Sequence, residues 1–140
     1  MLAVVKAVKH PWFGVNFDTG NFLRLLDDPL VAMEQLGPYV FATHIKDLKV
    51  RRGVSASEWF FFSSTPVGDG LVDVARIIQL LADVHYEGLL AVEIDHLHPD
   101  YEYDEHAAVR RSIDELRRLS APDAPALAAT KAVAAWEEKS

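Results

Sequence analysis

The chain has 140 residues, enough for one domain with a sizeable core; half are hydrophobic and a quarter charged, an ordinary globular composition. A formal charge of −7 argues against a non-specific nucleic-acid binder, which needs a basic face for phosphates. With no cysteine there is neither a disulfide framework nor a thiolate site, so any metal must use oxygen and imidazole.

The apolar start, Met1 to His10, is too short to span a membrane, and no signal cleavage site follows it. The reading is of a cytoplasmic protein with neither a membrane nor a nucleic acid as partner. Residues 2–9 read as the last turns of a helix, with Leu2, Val5 and Val8 on one side and no N-cap before them. Residues 12–18, entered through Pro11, are short, aromatic and β-branched, which predicts a strand. Thr19-Gly20-Asn21 is turn chemistry. A helix is predicted over 29–36, with Asp28 as N-cap, Pro29 at its first position and Gly37 past its end. The next strand covers 39–45.

The segment from Lys49 to Thr65 is too long for a plain connection and holds Trp59-Phe60-Phe61-Phe62; it reads as a lid, an inserted hairpin or an oligomer contact. Helix 72–84 places Val74, Ile77, Ile78 and Leu81 on one face. Residues 88–94 are almost continuously apolar, as in a strand buried on both faces. Helix 104–119 follows, with Val109, Ile113 and Leu116 expected inward and Asp104 near its cap. Pro122 and Pro125 interrupt the chain before an alanine-rich tail, predicted helical over 126–138. Strands alternating with amphipathic helices mean βαβ units and a parallel sheet in an α/β fold.

Parallel α/β folds keep ligand sites at the carboxyl ends of their strands. Asp18, His44 and Glu93 fall there, in "FDTGN", "THIKD" and "VEID". Each has an ordinary explanation: a turn-opening cap for Asp18, a hydrogen-bonded core histidine for His44, an ion pair for Glu93. Together they make an oxygen and imidazole set suited to manganese, magnesium, cobalt or zinc. Lys46 is placed to neutralise an oxyanion, or else forms a solvent-facing pair with Asp47. Gly68 and Gly70, just before a helix, offer either free amides for an anionic group or a tight turn. His96 and His98 in "DHLHPDY" read as surface loop residues.

The ordered motifs "FDTGN", "HIKD", "PVGDG…D", "YEGLLAVEID" and "DEHAAVRRS" resemble the C-terminal portion of the sugar phosphate isomerase/epimerase family, the xylose isomerase-like TIM barrels. The resemblance covers residues 1 to about 119. It implies a partial (β/α)8 barrel over 1–120 made of the last three βα units with an inserted loop, followed by a tail over 121–140. It also implies Asp18, His44 and Glu93 as three of four ligands to a divalent metal, manganese foremost, with Glu93 as an acid/base. The fourth ligand, a glutamate on an earlier strand, has no counterpart here. Asn21 stands where several epimerases carry a substrate-contacting histidine; it can bond a sugar hydroxyl but cannot act as an acid. Asn21, Lys46, Gly68 and Gly70 are thus the expected substrate contacts, with a sugar or related hydroxy-carbonyl compound as substrate. Three strands would leave open edges, so the expectation is a fragment of a longer barrel, or a partial barrel that self-associates or docks a complementing chain. A non-catalytic interaction module and an apurinic-endonuclease-like phosphodiesterase are the alternatives.

Overall fold

Alternation along two short strands sets the frame. Phe17 and Ile45 are fully buried, and their chain neighbours Asp18 and His44 turn to the other face. The computed structural model describes residues 1–101, 104–121 and 124. The predicted tail helix lies outside the described residues.

Helix α1 (Leu2–Val8) ends at Lys9 in the left-handed conformation (φ 46°), and the Lys9 N–H donates to Val5 O. The chain then turns, with the Phe13 N–H bonded to His10 O and Trp12 87% exposed. This turn corrects the predicted strand start: β1 is Val15–Asp18, not 12–18. Thr19-Gly20-Asn21 is the first turn of a helix, α2 (Thr19–Arg24), because Asp18 caps it. Helix α3 (Pro29–Leu36) starts as expected, Asp28 accepting from Leu30 and Val31. Strand β2 is Val40–Ile45.

The long segment resolves into an antiparallel hairpin, β3 (Asp47–Val50) against β4 (Phe62–Thr65), with a 3-10 turn at Trp59–Phe61. Helix α4 (Val74–Asp83) buries Val74, Ile77, Ile78 and Leu81, the predicted stripe. Strand β5 is only Leu90–Val92, and Leu89 is 84% exposed, so this segment is not covered on both faces. Helix α5 (Glu105–Leu119) buries Ala108, Ser112, Leu116 and Leu119. The expectation that Val109 and Ile113 face inward is corrected: both are exposed. Ser112 takes the core slot, its hydroxyl donating to Ala108 O and accepting from the Val67 N–H.

The sheet order is β1-β2-β5, all parallel, so β1 and β5 are its edges among the described residues. Helices α3 and α4 fill the crossovers, and Phe17, Met33, Ile45 and Ile77 pack in the layer between sheet and helices. Each such side chain contributes about 1.5–3 kcal/mol by leaving water. This is the α/β connectivity of a partial (β/α)8 barrel: the parallel sheet is what the alternation predicts, and the barrel is what the resemblance implies. Residues after β5 fold back onto the hairpin, with the Ser64 N–H donating to His96 O and the His98 N–H to Ser64 O, both at 2.7 Å. His98 is therefore buried rather than a surface loop residue. No helix among the described residues is long and apolar enough to cross a membrane.

Candidate functional site

Register brings the strand ends together. Asp18 is the Cα partner of His44 across β1 and β2, and the Glu93 N–H donates to Ile45 O just past β5. One ligand atom from each of Asp18, His44 and Glu93 lies within 4.8 Å of the others. His44 Nδ1 is 2.5 Å from Glu93 Oε2 and 3.8 Å from Asp18 Oδ2. The Asn16 amide stands 3.3 Å from His44 Nε2 and steadies the ring from behind.

The donor set fits a divalent cation on chemistry: two carboxylates and an imidazole, gathered at one rim of the sheet. Glu93 Oε2 is buried and, despite its closeness to His44, makes no hydrogen bond of proper geometry; Asn21 Oδ1 is likewise buried and unpaired among the described residues. Buried polar atoms normally find a partner. Asp18 serves two purposes at once. Its Oδ1 accepts the N–H groups of Gly20 and Asn21, while Oδ2 accepts from Asn21 Nδ2 at 2.8 Å and faces the cluster. The cap reading and the ligand reading of this residue describe different oxygens.

Lys46 does not pair with Asp47 in solvent. Its side chain is 3% exposed, and Nζ lies 3.1 Å from Asp18 Oδ2, 3.0 Å from Glu93 Oε1 and 3.3 Å from Asp95 Oδ2. Burial disfavours its charge, but the hydrogen bonds to Glu93 and Asp18 outweigh that and raise the ammonium pKa above the ordinary lysine value. Asp47 points elsewhere. It accepts from Gly68 and Gly70 on Oδ2 and from Val72 and Leu48 on Oδ1, at 2.8–3.0 Å. The amides of Gly68 and Gly70, expected free for an anion, are thus engaged by Asp47, which braces the turn into α4.

Sequence reasoning missed three contributors. Asp95 stands two residues after Glu93, the spacing that returns a strand side chain to the same face, and that period was the available signal. Its carboxylate takes two hydrogen bonds from Arg24, at 2.5 and 2.9 Å, one from Ser64 Oγ and one from the His96 N–H. Burial opposes its charge, but Arg24, Ser64 and Lys46 together hold its pKa well below the usual carboxylate range. Arg24 itself is 1% exposed, with Trp59 and Phe60 rings 5.2 and 5.5 Å from its guanidinium carbon. The hairpin aromatics therefore roof the arginine that anchors Asp95. Thr19 is the third, its hydroxyl accepting the Lys46 N–H at 2.8 Å and donating to Lys46 O at 2.6 Å.

In charge, Asp18, Glu93 and Asp95 stand against Lys46 and Arg24, which leaves the cluster one net negative charge. A divalent cation would reverse that sign and favour an oxyanion in the same place.

Residues 1–119 match the family model described as xylose isomerase-like TIM barrel. The chain is 29% identical over 87 residues to L-ribulose-5-phosphate 3-epimerase UlaE of Salmonella paratyphi A, covering 62% of this chain and 28% of that protein. Among solved structures it resembles a xylose isomerase domain protein from Planctomyces limnophilus, with TM-score 0.66, 21% identity and coverage of 84% of this chain and 41% of that one. A xylose isomerase domain protein from Alicyclobacillus acidocaldarius gives TM-score 0.56 and 20% identity, covering 84% and 40%. The chain spans well under half the length of these relatives.

Proposed function

Since this chain belongs to the xylose isomerase-like TIM barrel family, we propose that it carries part of the active site of a divalent-metal-dependent sugar isomerase or epimerase. The convergence of Asp18, His44 and Glu93 at adjacent strand ends is the observation that carries this reading. The similarity to a pentulose-phosphate epimerase supports a sugar or related hydroxy-carbonyl compound as substrate.

Asp18, His44 and Glu93 would hold the ion, manganese first among magnesium, cobalt and zinc. Such an ion supplies Lewis acidity, which makes the proton next to a carbonyl acidic enough for a carboxylate to take. Glu93 is the base that takes it, and Oε2 is the oxygen without a hydrogen bond. Lys46 Nζ stands 3.0 Å from the other oxygen of Glu93, placed to balance the negative charge that develops as the proton leaves. Asn21 keeps its Oδ1 for a substrate hydroxyl. Return of the proton to the opposite face gives the epimer, and return to the neighbouring carbon gives the aldose–ketose isomer. Epimerisation needs acid–base groups on two faces, and this cluster offers one. The phosphodiesterase alternative needs further ligands, and the described residues form this one group.

Manganese titrated calorimetrically into the full chain tests the reading. Glu93→Gln replaces an anionic donor by a neutral amide and should weaken binding at least about tenfold; His44→Ala should be at least as harmful. The chain alone should show no epimerisation of ketoses in deuterated water. Identical titrations in all three proteins would remove the metal site.

A further inference from the structure

Lys46 is held at three levels. Its backbone is clamped on both sides by the Thr19 hydroxyl. Its stem passes against Gly20, where a Cβ would stand 2.9 Å from Lys46 Cβ and 3.1 Å from Cδ, so the first turn of α2 needs a glycine there. Its ammonium sits among Asp18, Glu93 and Asp95 at 3.0–3.3 Å. Two of those three acids are the proposed ligands, and the third is not. Asp95 is fixed independently by Arg24 and Ser64.

A side chain restrained in this way is a positive charge that cannot leave. Both the ammonium and a divalent ion gain from the Asp18 and Glu93 carboxylates, and at such separations in a partly dry site two cations repel strongly. We infer that Lys46 is a built-in counter-cation that contends with the metal for Asp18 and Glu93 and so sets the affinity of the site, with Asp95 as its tether. This rests on the metal reading above. It assigns Lys46 a consequence beyond contact with substrate: the site gives up metal affinity to keep a fixed positive charge beside its base.

The test compares the full chain with Lys46→Met, Lys46→Gln and Lys46→Arg, titrating manganese alone by calorimetry. Neutralising the lysine should tighten binding at least about tenfold in Met and Gln alike, and the arginine variant should stay within about threefold of wild type. Methionine keeps the length of the stem and glutamine keeps a polar head, so a folding failure in one leaves the other to read. Side-chain nitrogen resonances of the unmodified chain give a second readout: the Lys46 ammonium signal should shift when magnesium is added. Wild type that binds manganese as tightly as Met and Gln overturns the inference and leaves the metal site standing. An arginine variant that gains as much as methionine also overturns it, since charge would not be the cause. A Lys46 signal unmoved by magnesium that does bind has the same force. Failure of every protein to bind manganese removes the metal reading and this inference together.

Discussion

Two aspartates at strand termini, Asp18 closing β1 and Asp47 opening β3, do opposite jobs. At the rim, Asp18 gives one oxygen to backbone amides and turns the other toward Asn21, Lys46 and His44. Beneath the turn into α4, Asp47 gives both oxygens to four backbone N–H groups and has nothing left to offer a ligand. In the sequence Asp18 stands two residues before Gly20, whereas Asp47 has no glycine beside it and reads only as a solvent-facing partner for Lys46. What separates them is how many lone pairs the backbone consumes. A half-used carboxylate belongs to a site, and a fully used one belongs to the scaffold.

The largest effect expected from this contrast is on stability at Asp47. Asp47→Ala strands four amide donors in the interior and should cost about 4 kcal/mol or more, whereas Asp18→Ala loses a helix cap worth about 1–2 kcal/mol. Urea unfolding of the full chain measures both, and manganese calorimetry should show the reverse pattern, with binding lost in Asp18→Ala. Equal destabilisation by the two substitutions would dissolve the distinction. The next effect is at Gly70, where a Cβ would meet Asp47 Oδ1 at 2.1 Å and Leu48 O at 2.6 Å. Gly70→Ala must push the carboxylate off its amides and should cost about 2–3 kcal/mol in the same urea experiment, with manganese affinity unchanged. A loss of metal affinity in Gly70→Ala would tie the scaffold turn to the site.

Much of the frame was readable because burial follows simple periods. The stripe Val74, Ile77, Ile78 and Leu81 and the cap Asp28 with Pro29 are local patterns, and both are realised. The proximity of Asp18, His44 and Glu93 was readable because strand ends in a parallel sheet share a rim. Three features were not local and escaped. Asp47 reaches Gly68, Gly70 and Val72 more than twenty positions away, so nothing beside it announces that those amides are taken. Arg24 reaches Asp95 across 71 positions. Val109 and Ile113 fit an amphipathic stripe, but Ser112, bonded to Val67 from another segment, sets which side of α5 faces the core.

The smallest effect sharpens the comparison through its sign. Asp95, paired with cations at the rim, has a folded pKa below its unfolded value; Asp47, buried among amides, has one above it because desolvation outweighs the amide hydrogen bonds. For Asp95, folding favours the ionised form. Its contribution is complete above the unfolded pKa of about 3.9 and is lost as pH falls through the folded value. For Asp47 the contribution is present below the unfolded pKa and lost as pH rises through the folded value, so the two slopes oppose each other on acidification. Subtracting the unfolding free energy of Asp95→Asn from that of wild type cancels Asp47, which both proteins carry. The difference should be flat from about pH 7 to about pH 5 and shrink steadily below about pH 4. Urea unfolding across that range reads it directly. A difference that stays constant down to about pH 3 would mean that the Arg24 and Lys46 contacts do not favour the ionised carboxylate, and that Asp95 is a hydrogen-bonding spacer no different in kind from Asp47.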